Sequence, residues 1–219
     1  MQIQIILDTQ LYKKNPMTSE LGKRILSGSI EMIDQLGFEN FTFKKLSDYI
    51  HSPESSVYRY FTNKHQLLLY LSNWYWAWLN FKLDSATKNI ETAKDKLNKI
   101  IEILAGKIQK DNRFAFINEV LLEKIIISES VKIFHTKNVD KENRQGFFKE
   151  YIDLIENIAQ IIQQVSPNYK YPKNLANTLV KSAHLQRFFS EHIPEVTDKT
   201  KNQNTTELFF KELIFKTLN

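Results

Sequence analysis

Apolar positions recur at steps of three and four along most of the chain, and each run is bounded by residues that start or stop a helix. Ile25, Ile30, Met32, Ile33 and Leu36 carry the first run, with Ser19 as N-cap and Gly37 as C-terminal stop. Phe43, Leu46, Tyr49 and Ile50 predict a short helix from Thr42 to about His51. A third helix is predicted through Val57 to Phe61, with Ser52 as cap and Pro53 at the first position, where its missing N–H costs nothing. Past the polar break Thr62-Asn63, the spacing of Leu67, Leu71, Trp74, Trp78 and Phe81 predicts a long helix over 64–85 with an aromatic stripe. Further helices are predicted over 91–110, 114–134, 141–165, 173–191 and 205–218, separated by polar or proline-bearing segments. The pattern is that of an all-α protein of about nine helices without internal repeats. It divides into an N-terminal arm over 1–18, a group of three short helices over 19–63 and a larger helical bundle over 64–219.

Composition agrees with this division. The 219 residues are 42% hydrophobic and 25% charged, with only five Gly and five Pro against fifteen Phe, nine Tyr and three Trp, which suits helices packed on bulky side chains. There is no cysteine, so disulfides, thiol catalysis and cysteine-ligated metal sites are excluded. No apolar run is long enough to span a bilayer, and Met1 to Asp8 has neither a basic flank nor a small-residue cleavage site, so a soluble, cytoplasmic protein without a membrane partner is expected.

The formal charge of +5 is compatible with a polyanionic partner, but Met1 to Leu68 holds eight basic residues against seven acidic ones. A nucleic-acid footprint must therefore come from local placement, and Lys44, Lys45, Arg59 and Lys64 cluster around the short helices. No phosphate loop, nucleophile elbow or H-E-x-x-H motif occurs, so no enzyme is expected. His184 and His192 stand eight apart on one predicted helix, two turns from each other and too far for one ion, so neither metal nor cofactor is expected.

Two short helices joined by a tight turn, with a third helix crossing them, are the signature of a helix-turn-helix. The run Thr42-Phe43-Lys44-Lys45-Leu46-Ser47-Asp48-Tyr49-Ile50, then Val57-Tyr58-Arg59-Tyr60-Phe61, then Asn63-Lys64-His65-Gln66-Leu67-Leu68 resembles the N-terminal DNA-binding domain of the TetR family. Ile25-Leu26 through Gly37-Phe38 is similar to that family's first helix, so the resemblance covers about Lys23 to Leu69. Two departures fall at the turn. His51 stands where the family usually has glycine, and a left-handed backbone is expected there; Pro53 and Glu54 occupy positions usually small and basic, so a carboxylate can face DNA.

The resemblance implies a transcriptional repressor that binds palindromic double-stranded operator DNA as a homodimer and is released by a small apolar or aromatic effector. It implies base-edge or adjacent backbone contacts by Ser55, Ser56, Tyr58 and Arg59, and phosphate contacts by Thr42, Lys44, Tyr60 and Lys64. It also makes the C-terminal bundle a regulatory and dimerisation domain. Leu175, Leu179, Ala183, Gln186, Leu208, Ile214 and Leu218 of its last two long helices can supply the facing surfaces, and Trp74, Trp78, Phe81, Phe114, Phe147 and Phe188 are the candidate effector contacts. The same rings can equally be core. A second reading, a helical interaction module on this scaffold that has lost specific DNA binding, rests on the near-neutral N-terminal part and on Pro53-Glu54.

Overall fold

The computed structural model describes residues 5, 7, 10–114, 116–198 and 203–219; the rest of the expected N-terminal arm lies outside them. Among the described residues there are eleven α-helices and no strand. In chain order they are α1 (Glu20–Asn40), α2 (Phe43–Tyr49), α3 (Glu54–Val57), α4 (Lys64–Thr87), α5 (Ala93–Ala105), α6 (Glu119–Ser128), α7 (Ser130–Phe134), α8 (Val139–Arg144), α9 (Lys149–Val165), α10 (Pro172–His192) and α11 (Thr205–Leu218). The excess over nine arises because two of the long runs are interrupted. The segment expected over 114–134 breaks at Glu129, the shared cap of α6 and α7, and the one over 141–165 breaks at Gly146, whose φ of 76° ends a helix.

The chain forms two compact units, Met1–Trp78 with Gln109–Glu150, and Leu79–Ile108 with Tyr151–Asn219, so compactness does not follow the boundary expected near Asn63. The cause in the first unit is burial. Leu67, Leu68, Tyr70, Leu71 and Trp74 are all sealed, which the short helices alone could not achieve, and α6 lies against α1 to complete the enclosure. Ser19 caps α1 as expected, accepting from the Gly22 amide at 3.1 Å. Gly37 does break the helical backbone, with φ 73°, although a last turn resumes to Asn40. Residues 10–18 are also part of this unit. Leu11 and Met17 are buried, the Tyr12 ring meets Tyr70 edge-on at 5.9 Å, and a Cβ on Gly22 would stand 2.2 Å from the Pro16 carbonyl oxygen, so only glycine allows that approach.

In the second unit α5, α10 and α11 pack on one another through Leu97, Ile100, Ile101, Leu104, Leu179, Ala183 and Ile214. The buried Arg187 donates to the carbonyls of Leu104 and Gly106, satisfying the end of α5. The Asn204 side chain caps α11 and also donates to Ala105 at 3.1 Å. Leu175, Leu179, Ala183, Ile214 and Leu218 are thus spent inside the unit. The exposed apolar side chains of α10 and α11 are Leu185, Leu208, Phe209 and Leu213, so of the expected facing residues only Leu208 is both apolar and exposed.

Candidate nucleic-acid interface and aromatic interior

Helix α2 starts at Thr42, whose hydroxyl accepts from the Lys45 amide at 3.2 Å, and ends where Arg24 of α1 donates to the Ile50 carbonyl. Gly28 lets α1 approach this end: a Cβ there would stand 2.8 Å from Ile50 Cγ2. His51 has φ 48°, the left-handed turn expected from its place. Pro53, in extended conformation, is itself the cap of α3, so the helix begins one residue later than the sequence suggests, at Glu54. Helix α3 is short, but i to i+3 and i to i+4 bonds carry the winding on through Phe61.

Val57 and Phe61 are buried beneath this segment, and Ser55, Tyr58 and Arg59 stand exposed above them, with Ser56 half-buried. The Tyr58 ring leans edge-on against Phe43 at 5.1 Å, which fixes its direction. Among the described residues the Arg59 guanidinium has no partner, so its fork of donors is available. Lys44 is exposed in an i, i+4 pair with Asp48 at 3.1 Å, an interaction of the weak, solvent-screened kind.

Tyr60 and Lys64 sit differently from the rest. Tyr60 is 2% exposed and its hydroxyl shares a 2.7 Å hydrogen bond with Ser19, so it fastens α1 to the recognition segment. Lys64 directs its ammonium to the carbonyls of Phe38, Glu39 and Phe41 at 2.9, 3.0 and 3.2 Å, and over the Phe38 ring at 4.8 Å. Three donors on three carbonyls make it a cap for the end of α1. Sequence reasoning also missed Lys13, whose amide donates to the Tyr60 carbonyl at 2.8 Å and whose ammonium reaches that of Tyr58 at 3.3 Å, strapping residues 10–18 beside the recognition segment.

The candidate effector residues divide between the units. Trp74, Trp78, Phe114 and Phe147 are buried in the first, where Trp74 meets Phe114 edge-on at 5.4 Å. Phe81 and Phe188 are half-buried in the second; Phe81 lines a polar cavity of about 500 Å³ with Asp84, Lys88, Lys96, Asn157 and Gln160, and Phe188 lies 4.4 Å from the His192 ring. Beside the tryptophans lies a set of carboxylates absent from the sequence reading. Glu119 and Glu123 are buried one turn apart on α6, and the Tyr75 hydroxyl donates to Glu123 at 3.0 Å. Glu119 Oε2 accepts from the Asp111 amide at 3.2 Å, and burial pushes the Glu119 carboxyl above the usual carboxylate range. Asp111 moves the other way because Arg113 holds it at 2.6 Å. The signal was legible: two glutamates four apart inside Glu119-Val120-Leu121-Leu122-Glu123-Lys124-Ile125-Ile126-Ile127 put two carboxylates on one face of an apolar helix.

Residues 25–71 match the family model of bacterial regulatory proteins, TetR family. The chain belongs to the TetR family. That assigns a DNA-binding transcription regulator rather than an enzyme. The chain is also similar in fold to AibR in complex with isovaleryl coenzyme A and operator DNA (TM-score 0.59, 12% identity, covering 90% of this chain and 98% of that one). Similar too are the fatty acid degradation regulator FadR of Bacillus halodurans (0.57, 12%, 90% and 93%) and the ketosteroid transcriptional regulator KstR2 of Mycobacterium tuberculosis (0.54, 10%, 89% and 91%). At these identities the likeness is one of fold. No curated protein matches the chain. Among the described residues no helix of this TetR-family chain is long and apolar enough to cross a membrane, and no group of three metal-ligating side chains occurs.

Proposed function

We propose that this TetR-family chain is a homodimeric repressor that reads a roughly palindromic operator with the segment 53–61 and is released by a small, largely apolar or aromatic ligand held near Trp74 and Trp78. The observation that carries the DNA reading is the arrangement of Ser55, Tyr58 and Arg59, exposed on a segment pinned from beneath by Val57 and Phe61. Arg59 takes the guanine-reading role, Ser55, Ser56 and Tyr58 contact bases or the neighbouring backbone, and Thr42 and Lys44 contact phosphate. With the Lys64 ammonium already committed to three carbonyls, its phosphate contact runs through the amide groups at the start of α4. Tyr60 supports the interface through Ser19. The apolar face of Leu185, Leu208, Phe209 and Leu213 is where the second copy docks.

Support for ligand release comes from the fold partner AibR, seen with both an acyl-coenzyme A and operator DNA, and from α4, which carries Trp74 and Trp78 on the same rigid element that begins at Lys64. The test is a gel shift at several salt concentrations with DNA from around the protein's own gene. A retarded band that weakens steeply with salt and withstands random competitor is the expected outcome. Binding equal to that of random duplex at every salt favours an interaction module instead.

A further inference from the structure

Two buried polar atoms of the first unit have no hydrogen-bond partner among the described residues: the indole N–H of Trp74 and Oε1 of Glu119. Both side chains are completely shielded from solvent. A buried donor or acceptor left unpaired forfeits its hydration without return, so such atoms are uncommon in a finished core. Here one is a donor, the other a carboxylate oxygen, and both belong to one connected cluster. Trp74 rests on Phe114, the Phe114 amide bonds the Asp111 carbonyl at 3.0 Å, and the Asp111 amide bonds the second oxygen of Glu119.

The surroundings select the ligand. Glu119 and Glu123 put two carboxylates on one buried face of α6. The basic residues nearby do not reach Glu119 Oε1: Arg113 holds Asp111 at 2.6 Å and Lys110 is exposed. The walls are the rings of Trp74, Phe114, Tyr75 and Trp78, the last two 5.8 Å apart, and aromatic faces attract positive charge. An anion would meet the two carboxylates, and a hydrocarbon would leave both orphaned atoms as they are.

We propose that this cluster binds a small aromatic amine, whose ammonium is held by Glu119 Oε1 among the rings and whose oxygen acceptor receives the Trp74 indole N–H. This deepens the effector reading given above and rests on it. Ring stacking supplies area, the carboxylate selects charge, and the indole selects a ligand with an acceptor.

The experiment is calorimetric titration of the full chain with four probes: 2-(4-methoxyphenyl)ethylamine, its neutral counterpart 4-ethylanisole, its anionic counterpart 4-methoxyphenylacetate, and 2-phenylethylamine, which lacks the methoxy oxygen. The methoxy amine should bind about tenfold or more tightly than each of the others. Glu119→Gln should abolish the preference for the amine over 4-ethylanisole, and Trp74→Phe the preference for the methoxy amine over 2-phenylethylamine. Equal affinity for amine and neutral probe, or no heat with the amine, overturns the inference and leaves the two atoms to water alone. The wild-type series decides by itself should either variant fail to fold. Operator binding measured on the same sample separates the two readings: DNA bound without amine selectivity sinks this inference only, and no DNA binding sinks the regulator while the titration still decides the amine site.

Discussion

At residues 55–59 polar side chains stand in solvent over a floor of Val57 and Phe61, whereas at Trp74, Glu119 and Glu123 they are closed in by aromatic and aliphatic walls. Both regions belong to the first unit, and both depend on α4, which starts beside the recognition segment and carries the tryptophans further along. The outer region leaves donors unspent at little energetic cost because water solvates them until DNA arrives. The inner region cannot, since an unpaired group there has no water to fall back on. The difference separates two kinds of functional residue: the exposed one is selected by reach, and the buried one by what remains unsatisfied around it.

This contrast can be broken by substitution. The largest effect is expected for Trp78→Ala, which empties a fully buried ring site and should cost about 3–5 kcal/mol of stability by denaturant titration; a loss under 1 kcal/mol would mean that the interior is not close-packed around that ring. Next comes Lys64→Met, which keeps the stem but strips three carbonyls at the end of α1 of their donor. About 1–3 kcal/mol is expected there, and an unchanged melting midpoint would return the ammonium to the role of a free phosphate contact.

Smaller is the effect of Glu119→Gln, and it depends on pH. Burial raises the folded-state pKa, so below the ordinary carboxyl value of 4.5 both states are protonated and nothing is lost. As pH rises through 4.5 the unfolded chain ionises at Glu119 before the folded chain does, and stability falls until the raised pKa is passed. Wild type should therefore lose roughly 1 kcal/mol relative to the glutamine variant between pH 4 and 7, read from paired melting curves. Parallel curves would show that Glu119 ionises normally.

How much of this could be read from the chain follows the same line. The caps Ser19 and Thr42, the buried Val57 and Phe61 and the left-handed His51 follow from local spacing and backbone preference, which sequence carries directly. The breaks at Glu129 and Gly146 were hidden because apolar spacing continues across both. Tyr60 and Lys64 look like surface residues of the motif; what they bond, Ser19 in one case and the end of α1 in the other, is brought to them only by the packing of distant segments. The same is true of Glu119 and Trp74, whose isolation from partners is a property of the assembled cluster.

The most direct test is the affinity of wild type and Arg59→Ala for operator and random duplex, measured by fluorescence anisotropy over a range of salt. The account predicts a strong operator preference in wild type, a loss of about 1–3 kcal/mol on operator alone in the variant, and a similar salt slope for both proteins, since Arg59 reads a base. Equal losses on operator and random DNA, or no loss on either, would contradict the assignment of segment 53–61 as the part that reads sequence.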